Sequence, residues 1–258
     1  MIKAFLINLD NAEERRRHME AQFDRLGIRH ERVSATDGHA DDVAAIVARS
    51  PMTVGEVGNF LSHARLWDRI ATMDEDYVAI FEDDIYLSPA LPRFLADAGW
   101  IPGDADVVKI ETMAMSANVD RRGVDVGGRF FVRRLHSTHW GLAGYVISAA
   151  AARRLSAAGI PPTRPADHVL FGFDEDPPVD LVVYQLDPAL CIQHDVLSAN
   201  APGSPLSSGI QPERISPRRP KTVSSRMASE LRKIAPAVSR FLKGRVVRKK
   251  IPFAGTDE

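Results

Sequence analysis

The stretch YVAIFEDD, residues 77–84, carries an apolar run straight into three consecutive carboxylates, Glu82, Asp83 and Asp84. Adjacent acids repel one another, and burying any of them without a partner is costly. Positive charge is therefore expected beside them. If the run is a strand, Glu82 and Asp84 point to one side and Asp83 to the other. Two carboxylates at i and i+2 on a strand end suit a divalent cation, especially a Mg²⁺ or Mn²⁺ ion that also takes phosphate oxygens from a substrate. A solvated acidic turn is the competing explanation of the same three residues.

Other polar residues have similar double readings. Asn8 closes the first apolar run in NLD, and Arg15, Arg16 and Arg17 follow it. An asparagine at a strand end can read a base or ribose edge, and an arginine one or two turns into a helix can reach back to a phosphate. A turn asparagine and a solvated basic face are the ordinary alternatives. SATDG (34–38) reads as a turn, to which Asp37 and Gly38 are suited. Ser62 and His63 lie inside the apolar helical stretch GEVGNFLSHARLW, where a histidine is more often a core group than a base. The sequence has no Walker glycine loop and no CxxC zinc pattern, and nothing in it supports a Ser-His-Asp triad.

The elements that must hold these residues follow from periodicity. Strands are expected at 2–9, 29–35, 77–82, 105–111, 129–135 and 180–186. Helices are expected at 11–26, ending at Gly27, at 54–73, and from a Ser148 cap to Gly159. Strands alternating with helices imply βαβ units and a largely parallel sheet covered on both faces, with ligands at the carboxyl ends of strands. The acidic triplet falls at such an end.

The chain of 258 residues has ordinary globular composition, 45% hydrophobic and 26% charged. No apolar run approaches the roughly 20 residues that span a bilayer, and the first 17 residues lack a signal peptide's apolar core. The single cysteine, Cys191, excludes an internal disulfide, and its neighbours Leu190 and Ile192 make it a buried structural thiol. A net charge of −1 hides an asymmetry: residues 1–215 carry 21 Lys and Arg against 31 Asp and Glu, whereas residues 216–258 carry 12 against 3. Residues 201–220, rich in Pro, Ser and Gly, read as a linker between a domain over 1–200 and a basic amphipathic helical tail over 221–258. In that tail Met227, Leu231, Ile234, Val238, Phe241 and Leu242 recur at helical spacing among Arg and Lys, as in a helix lying on anionic lipid. Membrane docking is the preferred partner reading, and nucleic acid is not expected.

Six stretches in order, FLINLDNAEERRRHM, SATDG, GEVGNFLSHARLW, AIFEDDIYL, GYVISAAAARRL and DPALCIQHD, resemble glycosyltransferase family 25, the lipooligosaccharide galactosyltransferases and their collagen-modifying relatives. The resemblance runs from Ile2 to about Asp195. It implies an α/β GT-A-like nucleotide-binding fold, with a mostly parallel mixed sheet covered by helices. It also implies an inverting transfer of a hexose, galactose by preference, from a UDP-sugar to a lipooligosaccharide-like glycan with Mn²⁺ or Mg²⁺. Such an enzyme would work in the cytoplasm, peripheral on the inner face of the membrane.

On that resemblance Asp84 takes the metal, Glu82 takes the metal or the ribose, and Asp83 is secondary. His194 is a third metal candidate. Asn8, Arg15, Asp37 and Gly38 should line the nucleotide pocket, with Ser62 and His63 at its border. The family often has cysteine where this chain has Asn59. Asp167 in RPADHVLF is the candidate base, and Glu111 is its competitor. Trp140 offers a stacking face, and Gly144 a close backbone approach to sugar, although packing explains the glycine as well. A metal-dependent phosphohydrolase, which would release phosphate without a sugar acceptor, and a non-catalytic docking module are the alternatives from other classes.

Overall fold

Alternating side chains on the strands feed two apolar clusters, one on each face of a central sheet. In β1 (Lys3–Asn8) Phe5 and Ile7 enter one cluster, and Ala4 and Leu6 the other. The structure is a computed structural model that describes residues 1–173, 177–198, 206 and 244–255. From β1 the chain runs through α1 (Glu13–Leu26), β2 (His30–Ser34), α2 (Ala44–Val47), α3 (Val54–Ala71), β3 (Tyr77–Phe81), β4 (Ile85–Leu87) and α4 (Leu91–Ala96). Six strands follow: β5 (Val107–Lys109), β6 (Glu111–Thr112), β7 (Ser116–Asp120), β8 (Val124–Asp125), β9 (Phe131–Arg134) and β10 (Gly144–Ser148). Then come α5 (Ala149–Ala158), α6 (Ala166–Phe171), β11 (Val183–Asp187), β12 (Cys191–Gln193), α7 (His194–Leu197) and β13 (Val246–Lys250).

The helix ends have chemical causes. Thr53 and Glu56 form a reciprocal capping box at the start of α3. Ser148 accepts the Ala151 N–H at the start of α5, and Gly27, at φ +65°, closes α1 in the left-handed region.

Eight strands form the main sheet in the order β2-β1-β3-β10-β5-β11-β9-β8. β2, β1 and β3 are mutually parallel, as are β5 and β11, and β10 runs antiparallel between β3 and β5. The sheet is thus mixed. Helix α1 contributes Met19 and Phe23 to one covering layer, while α3, α5 and α6 contribute Phe60, Trp67, Leu155 and Phe171 to the other.

Two expected strands end early, and both departures shape the site. β3 stops at Phe81, so Glu82, Asp83 and Asp84 occupy the bend before β4. The expected strand 105–111 breaks at Ile110, whose carbonyl accepts the N–H groups of Leu190 and Cys191, and β6 pairs instead with β12 in a second sheet, β4-β12-β6.

The expected helical tail is also corrected where it is described. Residues 246–250 pair antiparallel with β7, from Val246 opposite Asp120 to Lys250 opposite Ser116. Ile251 and Ala254 are buried, and the backbone of 251–254 bonds to Thr112, Met115 and Ala189. β-branched Val246 and Val247 favour this strand over a helix. The remaining calls on the tail, 221–243, and on the linker, 201–220 apart from Leu206, lie outside the described residues. Ile251→Ala should cost about 2–5 kcal/mol in urea denaturation; a terminus hanging outside the core would lose no more than about 0.5 kcal/mol.

Candidate active site

A cleft of about 200 Å³ opens at the carboxyl ends of β1 and β3. Ile7, Leu9 and Ala35 give it an apolar side, and Asn8, Arg15, Asp37, Gly38, Asn59, Ser62 and the three acids a polar one. The sequence reading thus brings eight of its residues together: Asn8, Arg15, Asp37, Gly38, Ser62, Glu82, Asp83 and Asp84.

Each acid meets a different set of partners. Glu82 Oε1 accepts from Asn59 Nδ2 at 2.6 Å and lies 3.1 Å from His63 Nε2. Burial alone would raise the Glu82 carboxyl, but the bonds from His63 and Asn59 and the charge of Arg15 outweigh it and hold the group below its ordinary value. Asp83 does not turn away, because it sits in a bend and strand alternation no longer applies. Its Oδ2 accepts from Asn8 Nδ2 at 2.6 Å, and its Oδ1 pairs with Arg15 at 3.3 Å. Burial still leaves Asp83 above the usual carboxylate range against the pull of Arg15. Asp84 is pushed up further, by burial and then by the charges of Glu82 and Asp83. Its buried Oδ1 has no hydrogen-bond partner among the described residues.

His194 reaches Asp84 from the far side of the bend. Its backbone N–H donates to the Asp84 carbonyl at 2.7 Å, and its Nδ1 lies 3.2 Å from the Tyr86 hydroxyl. The buried His194 Nε2 also lacks a partner among the described residues. A carboxylate oxygen and an imidazole nitrogen, both buried and both unsatisfied, are the donor types a Mn²⁺ or Mg²⁺ ion accepts. Among the described residues no three His, Cys, Asp or Glu side chains gather as a complete cation site. A cation here would need ligand oxygens from a substrate.

Several residues take roles other than those expected. Asn8 is saturated: its Nδ2 donates to Ala12 and Asp83, and its Oδ1 accepts from Arg32. Both of its N–H donors are thus committed, and it orients Asp83 rather than offering a donor to a base edge. Ser62 accepts the Thr36 N–H and donates to the Gly58 carbonyl, tying α3 to the 34–38 turn. His63 is fully buried beneath Glu82 and does not line the cleft. A Cβ on Gly38 would overlap the Val54 carbonyl, so that glycine permits close contact with α3.

Glu111, Asp167, Trp140 and Gly144 are not part of the cleft lining either. Fully buried Glu111 has both oxygens taken, Oε2 by Lys109 at 2.9 Å and the Ala143 N–H at 3.0 Å, Oε1 by Gln193 at 2.7 Å. It fixes the loop before β10, and a base so enclosed cannot meet an acceptor hydroxyl. Asp167 lies in the first turn of α6 rather than in a loop, and its Oδ2 accepts the Gly141 N–H at 3.1 Å. Trp140 stacks on His168 with centroids 4.2 Å apart. Gly144 is explained by packing, since a Cβ there would overlap Cys191 Sγ. Cys191 is buried, as expected, and burial pushes its thiol well up. The roles of Asn59, Tyr145, Trp67, Lys109 and Gln193 escaped the sequence reading; only Asn59 and Trp67, four residues before and after His63 on one helix face, left a signal.

Comparison with known proteins agrees with the class of site. Residues 1–170 match glycosyltransferase family 25 (LPS biosynthesis protein). The lacto-N-neotetraose biosynthesis glycosyltransferase LgtB of Neisseria gonorrhoeae is 37% identical over 205 residues, 73% of each chain. The lipooligosaccharide biosynthesis protein lex-1 of Haemophilus influenzae is 32% identical over 212 residues, covering 73% of this chain and 66% of that one. A solved glycosyltransferase involved in glycosylation of the major capsid of PBCV-1 aligns over 74% of this chain and 92% of its own. Its TM-score is 0.43 and its sequence identity 11%. The chain belongs to glycosyltransferase family 25. No helix among the described residues is long and apolar enough to cross a membrane.

Gly144→Ala should cost about 1–3 kcal/mol through overpacking, and Cys191→Ala should restore much of it in a double-mutant cycle. A sugar-approach role would instead leave stability intact and the double variant inactive.

Proposed function

We propose that this chain is an inverting, metal-dependent hexosyltransferase of GT-A type, which moves galactose from UDP-galactose to a terminal sugar of a lipooligosaccharide-like glycan. The observation that carries the proposal is the buried Asp84 Oδ1 at the acidic end of the cleft, unsatisfied among the described residues, together with His194, which lies outside the cleft lining but bonds the Asp84 carbonyl through its N–H and whose buried Nε2 is likewise without a partner among the described residues. The nucleoside would lie against Ile7, Leu9 and Ala35, and its diphosphate towards Arg15 and the acids. Asp84 and His194 would hold Mn²⁺ or Mg²⁺, with Glu82 on the ion or the ribose. Bound there, the cation would neutralise charge developing on the UDP leaving group.

The chain's own groups do the remainder. Arg15 is paired with Asp83 and can exchange that partner for a phosphate oxygen, for which a guanidinium fork is suited. Asn8 holds Asp83 in place during the exchange. Inversion needs a base for the acceptor hydroxyl. Of the two candidates Asp167 has the freer oxygen: its Oδ1 accepts no hydrogen bond among the described residues and lies 3.9 Å from His168 Nε2. The half-buried Trp140 ring, stacked on that histidine, would receive the acceptor sugar. The names of the relatives, which refer to lipooligosaccharide and lacto-N-neotetraose biosynthesis, support a glycan acceptor.

The enzyme would work in the cytoplasm and dock on anionic lipid through residues 221–243. Replacing Arg226, Arg232, Lys233, Arg240 and Lys243 with Gln should abolish cosedimentation with anionic vesicles at low salt without changing the melting temperature; retained binding would refute the docking role. Asp84→Ala should abolish Mn²⁺-dependent thermal stabilisation by UDP-galactose, and turnover equal to wild type would refute the metal role. Asp167→Asn should lower kcat by about 10²–10⁴-fold, with UDP affinity kept.

A further inference from the structure

Behind Glu82 a line of buried polar groups runs into the core with no apparent structural need. His63 Nε2 lies 3.1 Å from Glu82 Oε1, His63 Nδ1 lies 2.9 Å from the Tyr145 hydroxyl, and Trp67 Nε1 lies 2.9 Å from that same hydroxyl. His63 and Tyr145 have no exposed surface, and Trp67 is only 2% exposed. Histidine and tryptophan sit four residues apart on one face of α3, and Tyr145 faces them from β10.

The direction of the line follows from donor chemistry. An indole N–H can only donate, so the Tyr145 oxygen accepts from Trp67. With the His63 ring neutral, the hydroxyl proton then goes to its remaining neighbour, His63 Nδ1, which is the lone-pair nitrogen. The ring proton is thereby placed on Nε2, where it donates to Glu82 Oε1. Asn59 donates to the same oxygen at 2.6 Å. Oε1 is occupied twice, and Oε2 accepts from no described residue although Glu82 lines the cleft.

We infer that Trp67 and Tyr145 are positioning residues: they fix the Nε2–H tautomer of His63, which with Asn59 holds Glu82 so that one carboxylate oxygen stays free for the nucleotide-sugar complex. A buried tyrosine hydroxyl carries a desolvation cost that phenylalanine would avoid, and packing alone gives no return for it. Reversing the tautomer would set the His63 Nε2 lone pair against the carboxylate and release Glu82. The device rests on the nucleotide reading of the cleft, because Glu82 matters only if it meets the donor.

The test uses the full chain with Tyr145→Phe, which keeps the ring and removes only the hydroxyl, and Trp67→Phe, which removes the indole N–H and part of the ring volume. Histidine ring ¹⁵N correlation spectra, with His63 assigned by its absence in His63→Asn, report the tautomer. Titration with UDP and Mn²⁺ reports donor-site affinity, and steady-state kinetics separate the KM values for donor and acceptor. Expected are a pure Nε2–H form in the wild type, a mixture in Trp67→Phe, and a changed resonance in Tyr145→Phe. Donor affinity should fall by roughly 10- to 100-fold, as for other residues that orient a ligating group, with the acceptor KM unchanged. An Nδ1–H form in the wild type, an unaltered tautomer in both variants, or full donor affinity despite a lost tautomer would overturn the inference. If the wild type binds no UDP, the nucleotide reading fails by itself, and the spectra alone then decide whether the line of hydrogen bonds sets the tautomer.

Discussion

Three carboxylates packed into one bend are the constraint around which this fold is arranged. At such spacing their charges cannot all be left bare in a half-closed cleft. Two are dealt with by different parts of the chain: Glu82 by Asn59 and His63 of α3, Asp83 by Asn8 of β1 and Arg15 of α1. The three segments that meet at the cleft are thus joined through the acids as much as through their apolar faces. Asp84 is the exception: its Oδ1 stays unsatisfied among the described residues, and its carboxyl is pushed up by burial and by its neighbours.

A second buried charge supports the first from behind. Lys109 at the end of β5 is fully buried, ion-paired to Glu111 and bonded to the Gly141 carbonyl, with its ammonium over the Phe171 ring. The Glu111 carboxylate takes the Ala143 N–H, and the Ala143 carbonyl takes the Glu82 N–H. The position of the Glu82 backbone is therefore set by an ion pair that never touches the cleft. Beside it, His139 is held neutral: burial, then the charge of Lys109, lowers it to about 4 despite its bond to Gln185. The neutral ring keeps a second positive charge away from Lys109, whose ammonium pairs with Glu111.

The parts of this arrangement that were legible in the sequence are those with a local cause. Apolar alternation located the strands on either side of α1 and α3, and Gly27, Ser148 and Gly159 marked helix ends because capping is a matter of a few neighbouring residues. The acid triplet stood out since three charges after Phe81 break any apolar pattern. Roles that depend on long-range partners were not legible. Asn8 meets Asp83 across 75 residues, Tyr145 meets His63 across 82, and Gly144 is small because of Cys191. Neither residue of any such pair has a type or spacing that announces the other. The strand break at Ile110 has the same origin, because the donors that draw its carbonyl away lie at 190 and 191.

The C-terminal segment shows how charge can mislead about architecture. A switch from acidic to basic composition near residue 216 reads as a boundary between two physical objects, yet part of the basic portion returns to the domain. Lys249 explains why: its ammonium lies 2.5 Å from buried Asp187, which also accepts from Arg133, so a basic residue far along the chain neutralises an acid of β11. Counted along the chain the two charges belong to different halves, but in space they form one ion cluster. The apolar anchors Val246, Ile251 and Ala254 and the backbone bonds of 251–254 to Ala189 then fix the turn that leads into β12 and on to His194. The C-terminal segment 246–254 is thus tied to His194, next to Asp84, through the residues of β12. In this sense Lys249 of the basic part complements Asp187 of the acidic part, and their pairing fixes the C-terminal segment beside β12, the strand that leads into His194.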